Sequence, residues 1–341
     1  MKVSVWFNNQ DMRLEETPTP EPSSGEMLVK VHACGICGSD VVEWYRLPRA
    51  PLVQGHEVAA EVVRCGPGVN DFKPGDRVFT APKVPCMECH YCRHGHYPQC
   101  TEITVRLPGG YAEYVLAPAD VVAKGTYKLP DNLDYEEATF IEPLACVIRA
   151  RRLARVQPHQ HVLVLGSGIT GVLHVKEAKR LGCTVTATDI NPYRLEFARK
   201  SGADYLLDAS EKVPERLVEL TGRKADVVMI TTSALPAIEQ AWASVDKGGT
   251  IVFFSVPEPG KEVTVPINDF WTREITVLTS YYAGPPDFTE AISLLAEKKL
   301  KVSDLITHRL PLEKTAEGFQ LMLEGSRSMK IIIKPHMGEE R

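Results

Sequence analysis

The chain has 341 residues, 44% of them hydrophobic and 24% charged, which is the composition of an ordinary globular protein too long for one average core. A formal net charge of −5, with Lys and Arg scattered along the chain, excludes the basic stripe that nucleic-acid binding needs. No apolar run reaches the length of a membrane span, and Met1-Lys2-Val3-Ser4-Val5-Trp6 lacks the long apolar stretch of a signal peptide, so a cytoplasmic protein is expected. Nine cysteines in such a chain call for a metal or redox explanation before a disulfide one.

In chain order, residues 1 to about 30 read as strand and loop, punctuated by Pro18, Pro20 and Pro22. Met27-Leu28-Val29-Lys30-Val31 is a strand leading into Ala33-Cys34-Gly35-Ile36-Cys37-Gly38-Ser39-Asp40. Gly55-His56-Glu57 precedes a second clear strand, Val58 to Val63. Turns and strands alternate from there, with no long helical period until about residue 134. From residue 161 the rhythm changes. Strands are expected at 161–165, 184–188, 204–208, 226–231, 250–255 and 275–281, with helix-length stretches between the first five. Six such strands suit an α/β, doubly wound parallel sheet, and the change of rhythm puts a domain boundary near 145–160. Helices near 287–298 and 314–325 follow, and Met329-Lys330-Ile331-Ile332-Ile333-Lys334 closes the chain with a strand expected to return to the β-rich first part.

Gly166-Ser167-Gly168-Ile169-Thr170-Gly171 stands where the first strand of the second part meets its first helix. Alone, G-x-G-x-x-G is weak. Here the strand before it, the helix after it and the strand ending at Asp189 complete the order of a dinucleotide site. The glycines allow a tight turn, a close approach of backbone to pyrophosphate and tight packing of helix on strand. The helix N-terminus favours the phosphate charge. Asp189, followed by Ile190, would accept hydrogen bonds from ribose hydroxyls and repel a 2′-phosphate, which favours NAD over NADP. Arg194 leaves some NADP use open, though a solvated helix arginine is its simpler reading.

Cys86-x2-Cys89-x2-Cys92-x7-Cys100 is a strong metal signal. Four thiolates close the tetrahedral shell of Zn²⁺, so this site is expected to be structural, pinning a lobe that contains His90, His94, His96 and Pro98. An iron–sulfur cluster fits the first three cysteines, but the x7 gap and the lack of Cys-Pro at the fourth depart from that pattern. Cys37, His56 and Glu57, with Glu142 in Phe140-Ile141-Glu142-Pro143-Leu144, form a second constellation. Singly, each has a bland reading: a buried thiol, a hydrogen-bonded loop histidine. Together they supply the mixed S, N and O donors that leave a zinc partly open.

The chain resembles the zinc-dependent medium-chain dehydrogenases/reductases, the alcohol dehydrogenase superfamily. The matching residues are Cys37-Gly38-Ser39-Asp40, Gly55-His56-Glu57, the four-cysteine lobe, Glu142-Pro143-Leu144 and the glycine loop with Asp189, in the family's order over most of the chain. The Cys₂His alcohol dehydrogenases have a second cysteine where this chain has Glu142, which resembles instead the sorbitol (polyol) and threonine dehydrogenase branch. The resemblance implies a GroES-like β-rich catalytic domain over residues 1–147, a Rossmann NAD-binding domain over 148–285 and a C-terminal segment, 286–341, returning to the first, with the active site in the cleft between the domains. It implies two zinc ions per chain: a catalytic one on Cys37, His56 and Glu57, with Glu142 bound directly or through water, and a structural one on Cys86, Cys89, Cys92 and Cys100. Ser39 resembles the hydroxyl that bonds the substrate oxygen and starts a proton relay, and Asp40 the carboxylate that orients His56. A histidine continues that relay in the Cys₂His enzymes at the position of Val42, so here the proton is expected to leave through water or Glu57.

Cofactor contacts implied in the same way are Gly166, Ser167, Gly168, Ile169, Thr170, Gly171, Asp189, Ile190, Arg194, Thr231, Ser255 and Val256. Tyr281 and Tyr282 suit either the cleft or a subunit interface. The expected reaction is reversible hydride transfer between NAD and a secondary alcohol or polyol, by a homo-oligomer (tetramer or dimer) with a small-molecule alcohol as partner and no nucleic acid or membrane. Two alternatives stay open. One is an L-threonine 3-dehydrogenase, distinguished by the pocket around Trp44, Tyr45 and Arg46, where Arg46 would pair a substrate carboxylate or phosphate or simply be solvated. The other is a zinc- and NAD-binding interaction protein without turnover.

Overall fold

The computed structural model describes residues 1–102 and 106–338, so the last three residues of the C-terminal segment lie outside it. The chain forms two compact units, one of 1–145 with 283–341 and one of 146–282.

The first unit is β-rich. A seven-stranded sheet is built on the pair Met27–Gly35 and Glu57–Cys65, which run antiparallel with Gly35 opposite Glu57. Both strands are apolar on alternate and often consecutive positions, because both faces are covered. Val29, Val31, Val58, Ala60 and Val62 sit in one buried cluster with Trp6, Tyr111 and Phe319. Arg77–Thr80 and Thr126–Lys128 extend the sheet on one side, and Tyr114–Ala117 pairs with Met27–Gly35. The closing strand, Lys330–Lys334, comes back as expected: it pairs antiparallel with Met27–Gly35, Ile333 opposite Cys34, and carries Ile306–Pro311 parallel on its other edge. The helix Ala119–Gly125 precedes the point where helical periodicity becomes legible in the sequence. Its seven residues are too few to show a period.

The second unit carries a six-stranded parallel sheet. In spatial order its strands are Tyr205–Asp208, Thr184–Asp189, His161–Leu165, Ala225–Ile230, Val245–Phe253 and Thr276–Thr279. The order reverses beside the first strand, His161–Leu165, whose five residues are all buried. This is the doubly wound arrangement expected, and its reversal point is where such sheets bind ligands. The fifth strand begins at Val245, before the apolar run at 250–255 that marks it in sequence, because the polar Asp246-Lys247-Gly248-Gly249 hides its start. Among the described residues no helix is long and apolar enough to cross a membrane.

Helix Ile169–Arg180 packs against this sheet and buries His174 edge-on against the Phe254 ring, with 4.8 Å between ring centroids. Its Nε2 has no hydrogen-bond partner among the described residues. Burial disfavours the imidazolium and lowers the His174 pKa to about 3. An unfolded chain takes up this proton near 6.5. The stability that the buried neutral ring contributes is therefore intact above about 6.5 and lost as pH falls toward 3. Replacing His174 by Leu should move the acid-unfolding midpoint to lower pH, as followed by circular dichroism. An unchanged midpoint would mean that other groups set it.

Candidate functional site

The strand register brings the first constellation together. Gly35 pairs with Glu57, so Cys37, two residues beyond one strand, meets His56, one residue before the other. Cys37 caps the 3-10 turn Gly38–Val41, and its Sγ accepts from the Ser39 N–H at 3.5 Å and the Ser39 hydroxyl at 3.4 Å. Donor atoms of Cys37, His56 and Glu57 all lie within 4.8 Å of one another. Glu142 is buried at the start of helix Ile141–Leu153 and is not in this group of three.

Asp40 holds the group from behind. Its carboxylate is fully buried. Oδ1 lies 3.2 Å from His56 Nδ1 and accepts from Arg46 at 2.9 Å. Oδ2 accepts from the Tyr111 hydroxyl at 2.7 Å and from the Cys37 N–H at 3.1 Å. Burial alone would raise the Asp40 pKa; His56, Arg46 and Tyr111 outweigh it and hold the group at about 2. His56 is the mirror case. Burial lowers it, but the charges of Asp40 and Cys37 win and lift it well above its ordinary value. With Nδ1 turned to Asp40, Nε2 is the atom His56 can offer a metal.

Glu57 is buried and paired with Lys330, which is fully buried in the closing strand and lies over the Phe140 ring at 5.2 Å. Gly35 makes room for the pair: a Cβ there would come within 2.6 Å of Lys330 Nζ and collide with the Glu57 carboxylate. Neither Lys330 nor Tyr111 is a candidate from sequence motifs. Lys330 carries a signal all the same, a lysine inside an apolar strand, which has to bring a partner with it.

The second constellation also assembles. Cys86, Cys89, Cys92 and Cys100 place their sulfurs within 4.8 Å of one another, with Cys86 and Cys92 at 4.0 Å. That is near the ~3.8 Å that ~2.3 Å Zn–S bonds impose on a tetrahedron, and far from a disulfide. Backbone N–H groups already point at the sulfurs, Cys89 N to Cys86 Sγ at 3.2 Å and Cys86 N to Cys100 Sγ at 3.3 Å. The backbone N–H of Cys92 brings the Cys89 thiol down to about 6, while burial pushes Cys92 up to about 12. Thiolate charge thus has a place to form, and a divalent cation would relieve the crowding; the donor set fits Zn²⁺. His94 Nδ1 instead meets the His90 carbonyl at 2.7 Å.

In the second unit Gly171 faces the Gly166 carbonyl so closely that a Cβ would overlap it, while Gly168 has open space around it. Gly168 also caps helix Ile169–Arg180 without a side-chain bond, which leaves the first N–H groups of the helix available. Asp189 accepts from the Ser167 N–H at 2.8 Å and the Asn191 N–H at 2.9 Å. Arg194 lies 3.9 Å from it, so this arginine is not simply solvated. The Thr231 hydroxyl donates to the Gly166 carbonyl at 2.7 Å, buttressing the loop. The Ser255 N–H bonds the Ile230 carbonyl at 3.0 Å, and Ile190 and Val256 are exposed. Arg46 is not simply solvated: its Nε and one terminal nitrogen are held by Ser39 and Asp40.

Residues 23–131 match the family described as alcohol dehydrogenase GroES-like domain, and residues 170–297 the family described as zinc-binding dehydrogenase. The chain is 36% identical over 339 residues to a sorbitol dehydrogenase of Ovis aries, covering 95% of this chain and 93% of that protein. It is similar in structure to 2R,3R-butanediol dehydrogenase from Bacillus subtilis, with a TM-score of 0.85 and 30% identity over 98% of this chain and 99% of that one. A zinc-binding dehydrogenase from Sinorhizobium meliloti 1021 bound to NADP gives a TM-score of 0.88 at 27% identity over 98% and 99% of the two chains.

Removing Lys330 leaves the Glu57 carboxylate buried and uncompensated. Lys330→Met should destabilise the metal-free protein by about 3–5 kcal/mol. The loss should be smaller with Zn²⁺ loaded, since the cation replaces the missing positive charge. Denaturant unfolding with and without Zn²⁺ measures both. Equal losses would separate Glu57 from the metal site.

Proposed function

Because the chain belongs to the zinc-dependent medium-chain dehydrogenase/reductase family, an oxidoreductase family acting on CH–OH groups, we propose that it converts a secondary alcohol of a polyol to the ketone, reversibly, with NAD as hydride acceptor. The observation that carries this reading is the grouping of Cys37, His56 and Glu57 with the Ser39 hydroxyl against Cys37. Three protein donors of mixed type leave a tetrahedral ion one position for a substrate oxygen.

Cys37, His56 and Glu57 would hold the catalytic zinc, with Glu142 bound to it directly or through water. Cys86, Cys89, Cys92 and Cys100 would hold a second, structural one. Bound zinc supplies a Lewis acid that lowers the pKa of a substrate hydroxyl, and NAD supplies the hydride acceptor. The chain does the rest. Asp40 fixes the tautomer and tilt of His56, and Ser39 offers an O–H to the substrate oxygen. The open N-terminus of helix Ile169–Arg180 would take the pyrophosphate, along Gly166, Ser167, Gly168, Ile169, Thr170 and Gly171. Asp189 favours NAD by its charge, which a 2′-phosphate would have to approach.

A homo-oligomer, tetramer or dimer, is part of the proposal. Thr276–Thr279 is an edge strand of the parallel sheet, and Ile267 and Trp271 nearby in sequence are 67% and 81% exposed. Exposed edges and large apolar side chains of this kind are commonly covered by a second copy. Nine cysteines without a disulfide suit a cytoplasmic location.

The test is NADH formation by zinc-loaded protein across polyols, simple secondary alcohols and L-threonine, with NADP in parallel. A polyol with NAD should be preferred. Preference for threonine, or no turnover of any of them, would reject the proposal. Cys37→Ser or His56→Ala should abolish turnover and lose one zinc equivalent of two, with the fold retained. Cys89→Ser should lose the other equivalent and lower the melting temperature. Asp189→Asn, which removes the charge but keeps an acceptor for the loop, should narrow the preference for NAD.

A further inference from the structure

Arg46 ends the short helix Glu43–Arg46, directly after the turn that carries Ser39 and Asp40. Its guanidinium folds back over that turn. Nε donates to the Ser39 carbonyl at 3.0 Å. One terminal nitrogen donates both to Ser39 Oγ at 2.9 Å and to Asp40 Oδ1 at 2.9 Å. The Tyr45 ring lies against the cation, 5.1 Å from ring centroid to Cζ. The turn beneath is itself tied down, since Asn9 donates its side-chain amide to the Val41 carbonyl and its backbone N–H to Glu43, both at 2.8 Å. Arg46 is therefore a fixed fork on a fixed platform.

The chemistry of the fork is one-sided. A guanidinium has five N–H donors and no acceptor, and it keeps its charge at every working pH. It therefore fills an acceptor lone pair of Ser39 Oγ and can never take the Ser39 proton. The hydroxyl hydrogen is left facing the other observed partner, Cys37 Sγ. The same guanidinium sits on the Asp40 oxygen that faces His56. We propose that Arg46 is a positioning residue of the Cys37–His56 metal site, its single guanidinium holding the Ser39 hydroxyl as a committed donor on the Cys37 side and the Asp40 carboxylate against His56. The Ser39 hydrogen is then held on the Cys37 side, where a substrate oxygen would replace Sγ as its acceptor, and Ser39 is not the first link of a relay running back along its own turn, where Val42 offers no base.

This inference rests on the zinc-dehydrogenase reading, so its test has one arm that does not need turnover. In that arm Zn²⁺ affinity is measured by competition with a chromogenic chelator, on folded protein checked by thermal unfolding. Arg46→Met keeps most of the stem and removes the fork. It should weaken Zn²⁺ binding about tenfold to a hundredfold through Asp40 and His56. In the second arm, with the alcohol that the wild type turns over, kcat should fall by a similar factor while KM for NAD stays unchanged. Arg46→Lys keeps the charge but cannot span three acceptors in one plane, and should rescue neither readout. In a Ser39→Ala background, Arg46→Met should lower kcat by a smaller factor than it does in the wild type and still weaken Zn²⁺ binding.

Wild-type Zn²⁺ affinity in Arg46→Met overturns the proposal, as does full rescue by Lys, or a kcat loss that simply adds to that of Ser39→Ala. If Arg46→Met does not fold, Arg46→Lys decides by the same readouts. A wild type that turns over no alcohol rejects the proposed function, while the Zn²⁺ arm still decides the role of Arg46.

Discussion

A buried carboxylate must be surrounded by donors, or it will take up a proton instead. Asp40 is surrounded by four: His56, Arg46, the Tyr111 hydroxyl and the Cys37 N–H. Each donor comes from a different segment. Cys37 belongs to the turn itself, Arg46 to the next helix, His56 to the start of the neighbouring strand, and Tyr111 lies just before strand Tyr114–Ala117. The ionised form of one side chain thus fixes four segments against each other. Two of the four donor residues, Cys37 and His56, are candidate metal ligands, so Asp40 positions both.

The same economy appears at Glu57. Its pairing with Lys330 puts two opposite charges in a fully enclosed place, which by itself adds little or nothing to stability. Its use is positional. Lys330 belongs to the closing strand, far along the chain, and its partner is the residue beside His56. The pair thus ties the return of the chain to the site, and Gly35 stays small so that it fits. A carboxylate with one oxygen on a lysine still has another for a metal.

The fold was largely legible because its signals are local and repeated. The strands of the second unit announce themselves as short apolar runs separated by helix-length stretches, and the glycine loop stands at the junction of strand and helix. The metal-type residues were legible because rare side chains at fixed spacing have few other uses. Less legible were the residues that serve those residues. Tyr111 and Arg46 are ordinary in sequence, and only the strand register and the turn bring them to Asp40. For Arg46 the sequence shows a charge and not what it faces. The first turn of the strand at Val245 was hidden for the opposite reason, its polar residues having no apolar pattern to betray it.

A second aspartate repeats the logic of the first with a different outcome. An acidic residue at the end of the second strand, here Asp189, is the expected reader of ribose in this arrangement of strand, loop and helix. In this chain its two oxygens already take N–H groups from Ser167 and Asn191, so the carboxylate also shapes the glycine loop that would cradle the pyrophosphate. Loop geometry and cofactor choice are then carried by one group. Deleting the side chain would disturb both and could not separate them. Arg194, 3.9 Å away, adds a third tie. The carboxylate cannot swing aside without releasing the N–H groups of Ser167 and Asn191. The carboxylate at the end of this strand is therefore as stiff as the loop it is part of.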